Sequence, residues 1–152
     1  MNLRTADKGD EEAIFELLVR MHAEVGLAPM DEHKVRARIR HVLTNGKAFL
    51  AENDAGEVVG SIGCVPDSFW YSSAVELFDA WIYVAPEGRG STAASRLIKA
   101  YKAEAARRGF RQPYLGRMNV IDAERKDHLF QHHGFSPIGS LFRLKEDAHV
   151  LR

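Results

Sequence analysis

Apolar positions recur along this chain with two different spacings, and the change from one to the other divides it. Ile14, Leu17, Leu18 and Met21 fall at i, i+3, i+4 and i+7, which predicts an amphipathic helix from Glu11 to about Glu24. Asp10 is the expected N-cap, with Glu11 and Glu12 favourable in the first turn and Gly26 as the stop. A second helix is expected from Asp31 to about Leu43, with Val35, Ile39 and Leu43 on one face and Asn45-Gly46 at its end. Before these, "NLRTA" reads as a short strand. From Lys47 the pattern turns extended: "KAFLAE" is a strand, "NDAG" a tight turn and "EVVGSIGCV" the partner strand of a hairpin. "DSFWYSS" is a loop carrying three adjacent aromatic residues. "VELFDAWIYV" is a long strand rich in β-branched and aromatic residues, closed by Pro86.

Helical spacing then returns. Ala94, Leu97, Ile98, Tyr101 and Ala105 form one stripe, Arg96, Lys99, Lys102 and Arg107 lie outside it, and Gly109 is the expected C-cap. "QPYLGRM" reads as a fifth strand, "DAERKDHLFQHH" as a last helix ending at Gly134, and "SPIGSLFRL" as a final strand. The order β-α-α-β-β-β-α-β-α-β implies a mixed α/β fold with α+β character. Its front half is antiparallel, and a strand-helix-strand crossover then supplies a parallel pair. That makes one domain over residues 1–152, with about six strands and about four helices.

Composition narrows the function classes. The 152 residues suffice for a real core without disulfides or metal. Lys plus Arg and Asp plus Glu both number 21, so no bulk field draws the protein to nucleic acid or an anionic membrane. The single cysteine, Cys64, lies among apolar residues and is expected to be a small buried hydrophobe in a reducing compartment. No apolar leader opens the chain and no run nears the ~20 apolar residues of a membrane span. The expectation is a soluble, cytoplasmic protein.

The stretch "VAPEGRGSTAASRLI", Val84 to Ile98, asks for a more specific reading. A strand passing through a glycine-rich turn into a helix leaves several backbone N–H groups unpaired at the positive end of the helix dipole, which suits a phosphate. Glycine admits the phosphate to the backbone, and a nearby arginine adds charge. The bland alternative is a plain strand-to-helix turn capped by Ser91. There is no G-x-x-x-x-G-K-[ST] and no G-x-G-x-x-G, so neither a P-loop nor a dinucleotide fold is indicated.

Val84-x-Pro86-x-x-Arg89-Gly90-x-x-x-Ala94-x-x-Leu97 resembles the acyl-CoA-binding motif of the GNAT superfamily of N-acetyltransferases. The element order is similar over essentially the whole chain, and "HLFQHHGFSPIGSLFRL" resembles that family's closing segment. Thr92 stands where the family usually has its second glycine. The resemblance implies that acetyl-CoA is the co-substrate. The N–H groups of Arg89, Gly90, Ser91, Thr92, Ala93 and Ala94 would cradle its pyrophosphate, and the strand at Ile82, Tyr83 and Val84 would pair with its pantetheine arm. Asn119 matches a position where the family often has an asparagine near the pantetheine. Phe130 falls where the family has the tyrosine that protonates the leaving thiolate; its ring would pack against the acyl-CoA but cannot donate a proton.

Acetyl transfer to an amine needs a base. The family's base is often a glutamate on the strand before the loop, and this strand offers Glu76 and Asp79. Alternation puts Glu76 and Phe78 on one face and Leu77 and Asp79 on the other, unless a bulge intervenes. Glu76 is favoured, with Asp79 second, and either could be a solvated strand carboxylate. With phenylalanine at 130, the thiolate would take its proton from water or from another tyrosine such as Tyr114. Alternatively, the chain binds CoA without efficient turnover. His128 and His132 are i, i+4 but have no evident third ligand, so no metal is expected. Phe69, Trp70 and Tyr71 serve either hairpin packing or a substrate-facing wall. Arg36, Arg38 and Arg40 read as a solvated helix face. By resemblance that helix borders the acceptor site, which leaves an anionic substrate open. The first reading is therefore an acyl-CoA-dependent N-acyltransferase that joins acetyl-CoA and an amine acceptor by direct attack. A non-catalytic CoA-binding or interaction module is the alternative, and a homodimer is compatible with both.

Overall fold

The computed structural model describes residues 1–117 and 121–145. They belong to two compact units, Met1–Gly116 and Arg117–Arg152. In the first unit, β1 (Asn2–Thr5), β2 (Lys47–Glu52), β3 (Val58–Asp67) and β4 (Glu76–Val84) form one antiparallel sheet in the order β1-β2-β3-β4. Both helical spacings predicted before the hairpin are helices, α1 (Glu11–Val25) and α2 (Glu32–Asn45). The apolar stripe after the glycine-rich turn lies on α3 (Ala93–Arg107).

Asp10 stands at the start of α1 but makes no capping bond. Its carboxylate takes both Arg4 guanidinium nitrogens, at 2.8 and 2.9 Å, and the Asp7 N–H at 2.8 Å. Asp31 does cap α2, accepting from Lys34 N at 3.1 Å.

The sheet is covered on two faces because β3 alternates. Ile14, Phe15 and Leu18 of α1 and Ile39 and Val42 of α2 pack with Ala48, Leu50, Val65 and Trp81 on one face. The other face meets α3, where a Cβ on Gly60 would lie 3.3 Å from Leu97. Leu97, Ile98 and Tyr101 are fully buried there. Trp81 donates from its indole N–H to Ser61 Oγ at 3.0 Å, and a Cβ on Gly63 would sit 2.5 Å from its ring. Gly63 is therefore the place on β3 where the indole lies flat against the backbone.

A bulge shapes β4. Gly63 pairs with Trp81 and Cys64 with Asp79, leaving Ala80 as the extra residue. Phe78, opposite Val65, thus shares the α1/α2 face with Trp81 and Tyr83, whereas Asp79 sits opposite Cys64 on the α3 face. Strict alternation would have put Asp79 and Trp81 on the same side. The inserted residue breaks that parity.

Two expected strands differ from the structure. The fifth, "QPYLGRM", contributes a single parallel bridge among its described residues, 112–117, Tyr114 to Phe78, with Tyr114 N donating to Leu77 O at 2.9 Å and Asp79 N to Tyr114 O at 3.3 Å. Pro113, which has no N–H, directly precedes the bridge and cannot extend that ladder. Residues 136–145, which cover the expected final strand, form no strand, and Ile138, Leu141, Phe142 and Leu144 are exposed. That segment contains Pro137 and Gly139 and finds no ladder among the described residues. The described sheet therefore has four strands, with the expected parallel pairing reduced to one bridge.

The second unit holds α4 (Ala123–His132), which follows Asp122 in the left-handed region at φ 49° and ends at Gly134, φ 93°. Arg117 pairs with Asp127 through two bonds of 2.6 and 2.9 Å. No described helix is long and apolar enough to cross a membrane.

Candidate active site

The site is built along β4, from the glycine-rich turn at its end to the point where the Tyr114 segment leaves it. At the turn, Ala85 N still bonds Val59 O at 2.8 Å, and Pro86–Gly88 then coil into one 3-10 turn. Gly88 is buried, and a Cβ there would lie 3.0 Å from Val84 and 3.1 Å from Val59. Gly90 has φ +79°, a conformation that disfavours any side chain. Ser91 Oγ donates to Gly88 O at 2.5 Å and accepts from Ala93 N at 3.2 Å, so Ser91 caps the turn as well as standing in the loop.

Arg89 N is spent on Pro86 O at 3.2 Å. Among the described residues, the N–H groups of Gly90, Ser91, Thr92 and Ala94 carry no hydrogen bond, and they cluster at the positive end of α3. Thr92 in place of a glycine therefore leaves the local donor set intact. The loop fits a pyrophosphate: unpaired donors, a glycine with positive φ, and an arginine beside them.

The Arg89 side chain is itself engaged. Its Nε donates to Val84 O at 3.0 Å, and its Nη2 reaches Glu24 Oε1 at 2.7 Å and Oε2 at 3.0 Å. The Tyr83 hydroxyl also donates to Glu24. Burial, then the Glu24 carboxylate, pushes the Tyr83 phenol up to about 12. Arg20, four residues before Glu24, holds Glu87 of the loop through two bonds of 2.7 Å. Neither Arg20 nor Glu24 was expected at the site. Their only sequence signal is an i, i+4 pair of opposite charge on α1.

Ile82 and Val84 are half-buried and Tyr83 faces α1. From Ala80 to Val84, β4 pairs only with β3 among the described residues, so its outer edge is open for an extended arm. Where that edge begins, the Asp79 carboxylate accepts from Gly116 N at 3.0 Å. Burial pushes its pKa up to about 7, with the Gly116 N–H pulling the other way. Glu76 stands three residues earlier, at the start of β4, where its Oε1 accepts from Gln112 N at 3.0 Å.

Tyr114 stacks on Phe78, ring centroids 4.8 Å apart, and meets the edge of Phe69 at 5.1 Å. Phe69 also packs on Phe78 and stacks with Tyr71, so this ring belongs to hairpin packing. Trp70 and Tyr71 project outward, 96% and 69% exposed. Cys64 is buried, and loss of hydration, then Glu104, pushes its thiol up to about 11. Two of the helix arginines are paired with α1: Arg36 with Glu12 at 2.8 Å and Arg40 with Glu11 at 2.7 Å. Phe130 is half-buried on α4 in the second unit, and Asn119 lies outside the described residues. Among the described residues no group of three or more His, Cys, Asp or Glu could hold a metal ion, His128 and His132 included.

The outer edge of β4 thus opens at the half-buried Asp79 carboxylate and closes on an anion-ready turn. Residues 44–137 match the acetyltransferase (GNAT) domain, and the chain belongs to that family. No curated protein matches the sequence. Solved structures share the fold. A predicted acetyltransferase from Clostridium acetobutylicum, solved with acetyl-CoA, is 17% identical with a TM-score of 0.75, covering 97% of each chain. The ribosomal-protein-alanine N-acetyltransferase of Brucella melitensis is 20% identical at TM-score 0.69, over 95% of this chain and 97% of that one. An aminoglycoside 6'-N-acetyltransferase from Acinetobacter haemolyticus is 16% identical at TM-score 0.69, over 96% and 98%.

Proposed function

We propose that this protein is an acetyl-CoA-dependent N-acetyltransferase acting on a primary amine of a small molecule or protein, with Asp79 as base. The observation that carries the reading is the spacing between the anion-ready turn and Asp79 along the open edge of β4. Val84 and Asp79 stand opposite Gly60 and Cys64, four steps apart on β3 because Ala80 is the extra residue, and at ~3.3 Å per residue that is roughly 13 Å. An extended pantetheine arm, from phosphorus to sulfur, spans roughly 16 Å at standard bond lengths. The unpaired donors of the turn lie beyond Val84, so a pyrophosphate held there would bring the thioester to the neighbourhood of Asp79. Glu76 lies roughly 10 Å further on at the same rise, and its carboxylate is occupied by the Gln112 N–H. Glu76 remains the second candidate.

In this reading the Asp79 carboxylate takes a proton from the ammonium, directly or through one water. The amine lone pair attacks the thioester carbonyl carbon and forms the C–N bond. An N–H on the open β4 edge polarises the carbonyl oxygen. Collapse breaks the C–S bond, the thiolate leaves with the electron pair, and the second proton of the amine nitrogen passes by way of water or Tyr114 to the sulfur, so that a neutral amide and the CoA thiol result. Asp79 suits the base role because a group titrating near neutrality is ionised often enough to accept a proton and basic enough to hold it. The non-catalytic reading draws on Phe130, which cannot donate a proton. The loss of that one donor still leaves base, edge and loop in place.

Two measurements test the proposal. Acetyl-CoA should raise the melting temperature, since a ligand specific for the native state stabilises it by mass action. Arg89→Glu should abolish the rise. A panel of amines with acetyl-CoA, followed by free thiol release, should then reveal turnover. No shift at millimolar acetyl-CoA would sink the assignment, and a shift without turnover on any amine would favour the binding module.

A further inference from the structure

The last turns of α1 meet the glycine-rich loop through two ion pairs that cross. Arg20 and Glu24 lie on one face of α1, four residues apart, and Glu87 and Arg89 lie two apart in the loop. Arg20 holds both oxygens of Glu87 at 2.7 Å, and Arg89 Nη2 holds both oxygens of Glu24 at 2.7 and 3.0 Å. The charges alternate, so each residue meets an opposite charge across the contact. The loop is thus already joined to α1 without Glu24, through the Arg20–Glu87 pair.

What Glu24 adds falls on the one cationic side chain of the loop, Arg89. A guanidinium has five N–H donors and no acceptor, and carboxylates and phosphates use those donors in the same way. Orientation of Arg89 does not need Glu24, because Nε is already tied to Val84 O at 3.0 Å. The Glu24 side chain is about one-third exposed, 32%, and the Arg89 side chain about half, 47%, so an anion from solvent reaches the pair. A phosphate oxygen arriving at Nη2 would also stand beside the Glu24 carboxylate, and like charges at that range repel.

We propose that Glu24 is an internal competitor for the phosphates of CoA at Arg89 and so sets the affinity for the acyl donor. The inference rests on the reading of the loop as the CoA site. The competitor is present at full charge, because the Tyr83 hydroxyl first, and Arg89 with it, hold the Glu24 carboxyl below the usual carboxylate range. When CoA takes Nη2, the Tyr83 hydroxyl remains as a partner for the displaced carboxylate. A phosphate therefore exchanges with Glu24 rather than filling an unoccupied cation. The opposite role, in which Glu24 holds Arg89 in place for CoA, predicts the opposite sign.

The test is the dissociation constant of CoA, by titration calorimetry, for the wild type, Glu24→Gln, Arg89→Gln and the double variant. Glu24→Gln is expected to tighten CoA by roughly three- to tenfold, the scale of a partly exposed ion pair. That gain should vanish in the Arg89→Gln background, as a double-mutant cycle requires of a direct pair. Unchanged or weaker binding by Glu24→Gln overturns the inference. So does an equal gain with and without Arg89, which would reflect net charge alone. If Glu24→Gln does not fold, Tyr83→Phe removes the partner that the displaced Glu24 carboxylate keeps and should weaken CoA, and unchanged or tighter binding there counts against the competitor. Measurable wild-type binding with no gain defeats this inference only. If neither the wild type nor the variants bind CoA at millimolar concentration, the CoA site itself fails and the inference with it.

Discussion

At the scale of single residues, Asp79 is the base on the proposed reading, and its titration has two consequences of opposite sign. Its folded pKa, about 7, lies above the ordinary carboxylate value of 3.8. Between those values the folded protein holds a proton that the unfolded chain releases, so stability falls as pH rises through the window. Asp79→Asn removes that loss. The variant should gain in melting temperature relative to the wild type on going from about pH 5 to about pH 8. Activity should move the other way, with kcat lowered roughly 10²-fold or more, as for a lost general base. The wild-type rate should rise through the neutral range as Asp79 ionises. Glu76→Gln, which disturbs only the bond to Gln112 N, should leave kcat within a few-fold. A silent Asp79→Asn beside a crippled Glu76→Gln would return the base to Glu76.

At the scale of elements, the β4 edge depends on α3. The hydroxyl of Tyr101, a fully buried α3 residue, lies 2.9 Å from Leu77 O and 2.5 Å from Tyr114 O, the two carbonyls that also join β4 to the Tyr114 segment. The helix that opens at the anion-ready turn thus also fixes the junction at Asp79. Tyr101→Phe should destabilise the fold by about 1 kcal/mol rather than more, because each carbonyl keeps a backbone donor. Urea denaturation measures that cost. If the junction positions Asp79, kcat should fall while the KM for acetyl-CoA holds, and an equal change in both would assign Tyr101 a purely structural role. The helical stripe put Tyr101 on the core face of α3, and that much was legible. Which carbonyls its hydroxyl would reach was not, because they sit on β4 and on the Tyr114 segment.

Across the molecule, α3 is tied to the sheet and to the end of α2 through a single buried carboxylate. Glu104, 5% exposed, takes Arg107 Nη2 at 2.8 Å, Arg108 Nε at 2.6 Å and Lys47 Nζ at 3.8 Å. Arg108 in turn donates to Gly46 O at 3.0 Å, beside the start of β2. Glu104→Gln should cost roughly 1–3 kcal/mol, since three cations then face a neutral amide. The Arg107 guanidinium first, and then Arg108, hold the Glu104 carboxyl below its ordinary value. Its contribution is therefore fully present above the ordinary carboxylate range and is lost as pH falls through the folded value. The stability gap between wild type and Glu104→Gln, from denaturation midpoints, should be wide at neutral pH and close in acid. A gap that stays constant with pH would mean that the cluster contributes packing and not charge.

Local pattern was enough to place the helices, the hairpin, the long fourth strand and the glycine-rich turn of this protein. Each depends on residues a few positions apart: apolar spacing for α1, α2 and α3, and Gly, Pro and Asn at the breaks. Of the six N–H groups expected to cradle a phosphate, those of Gly90, Ser91, Thr92 and Ala94 carry no bond among the described residues, whereas those of Arg89 and Ala93 are taken up by Pro86 O and Ser91 Oγ. Tertiary structure decided what no neighbouring residue encodes. The extra residue at Ala80 appears only when β4 is laid against β3, and it puts Trp81 on the opposite face from Asp79, where strict alternation would have put the two together. The same packing left Asp79 half-buried with a raised pKa, while Glu76 was taken up by Gln112. Glu24 meets Arg89 across 65 residues of chain, a distance over which no periodicity carries information. The fifth and last strands show the converse. "QPYLGRM" and "SPIGSLFRL" have strand-like composition, yet a strand also needs a partner to complete its hydrogen bonds, and the partner is chosen by the fold.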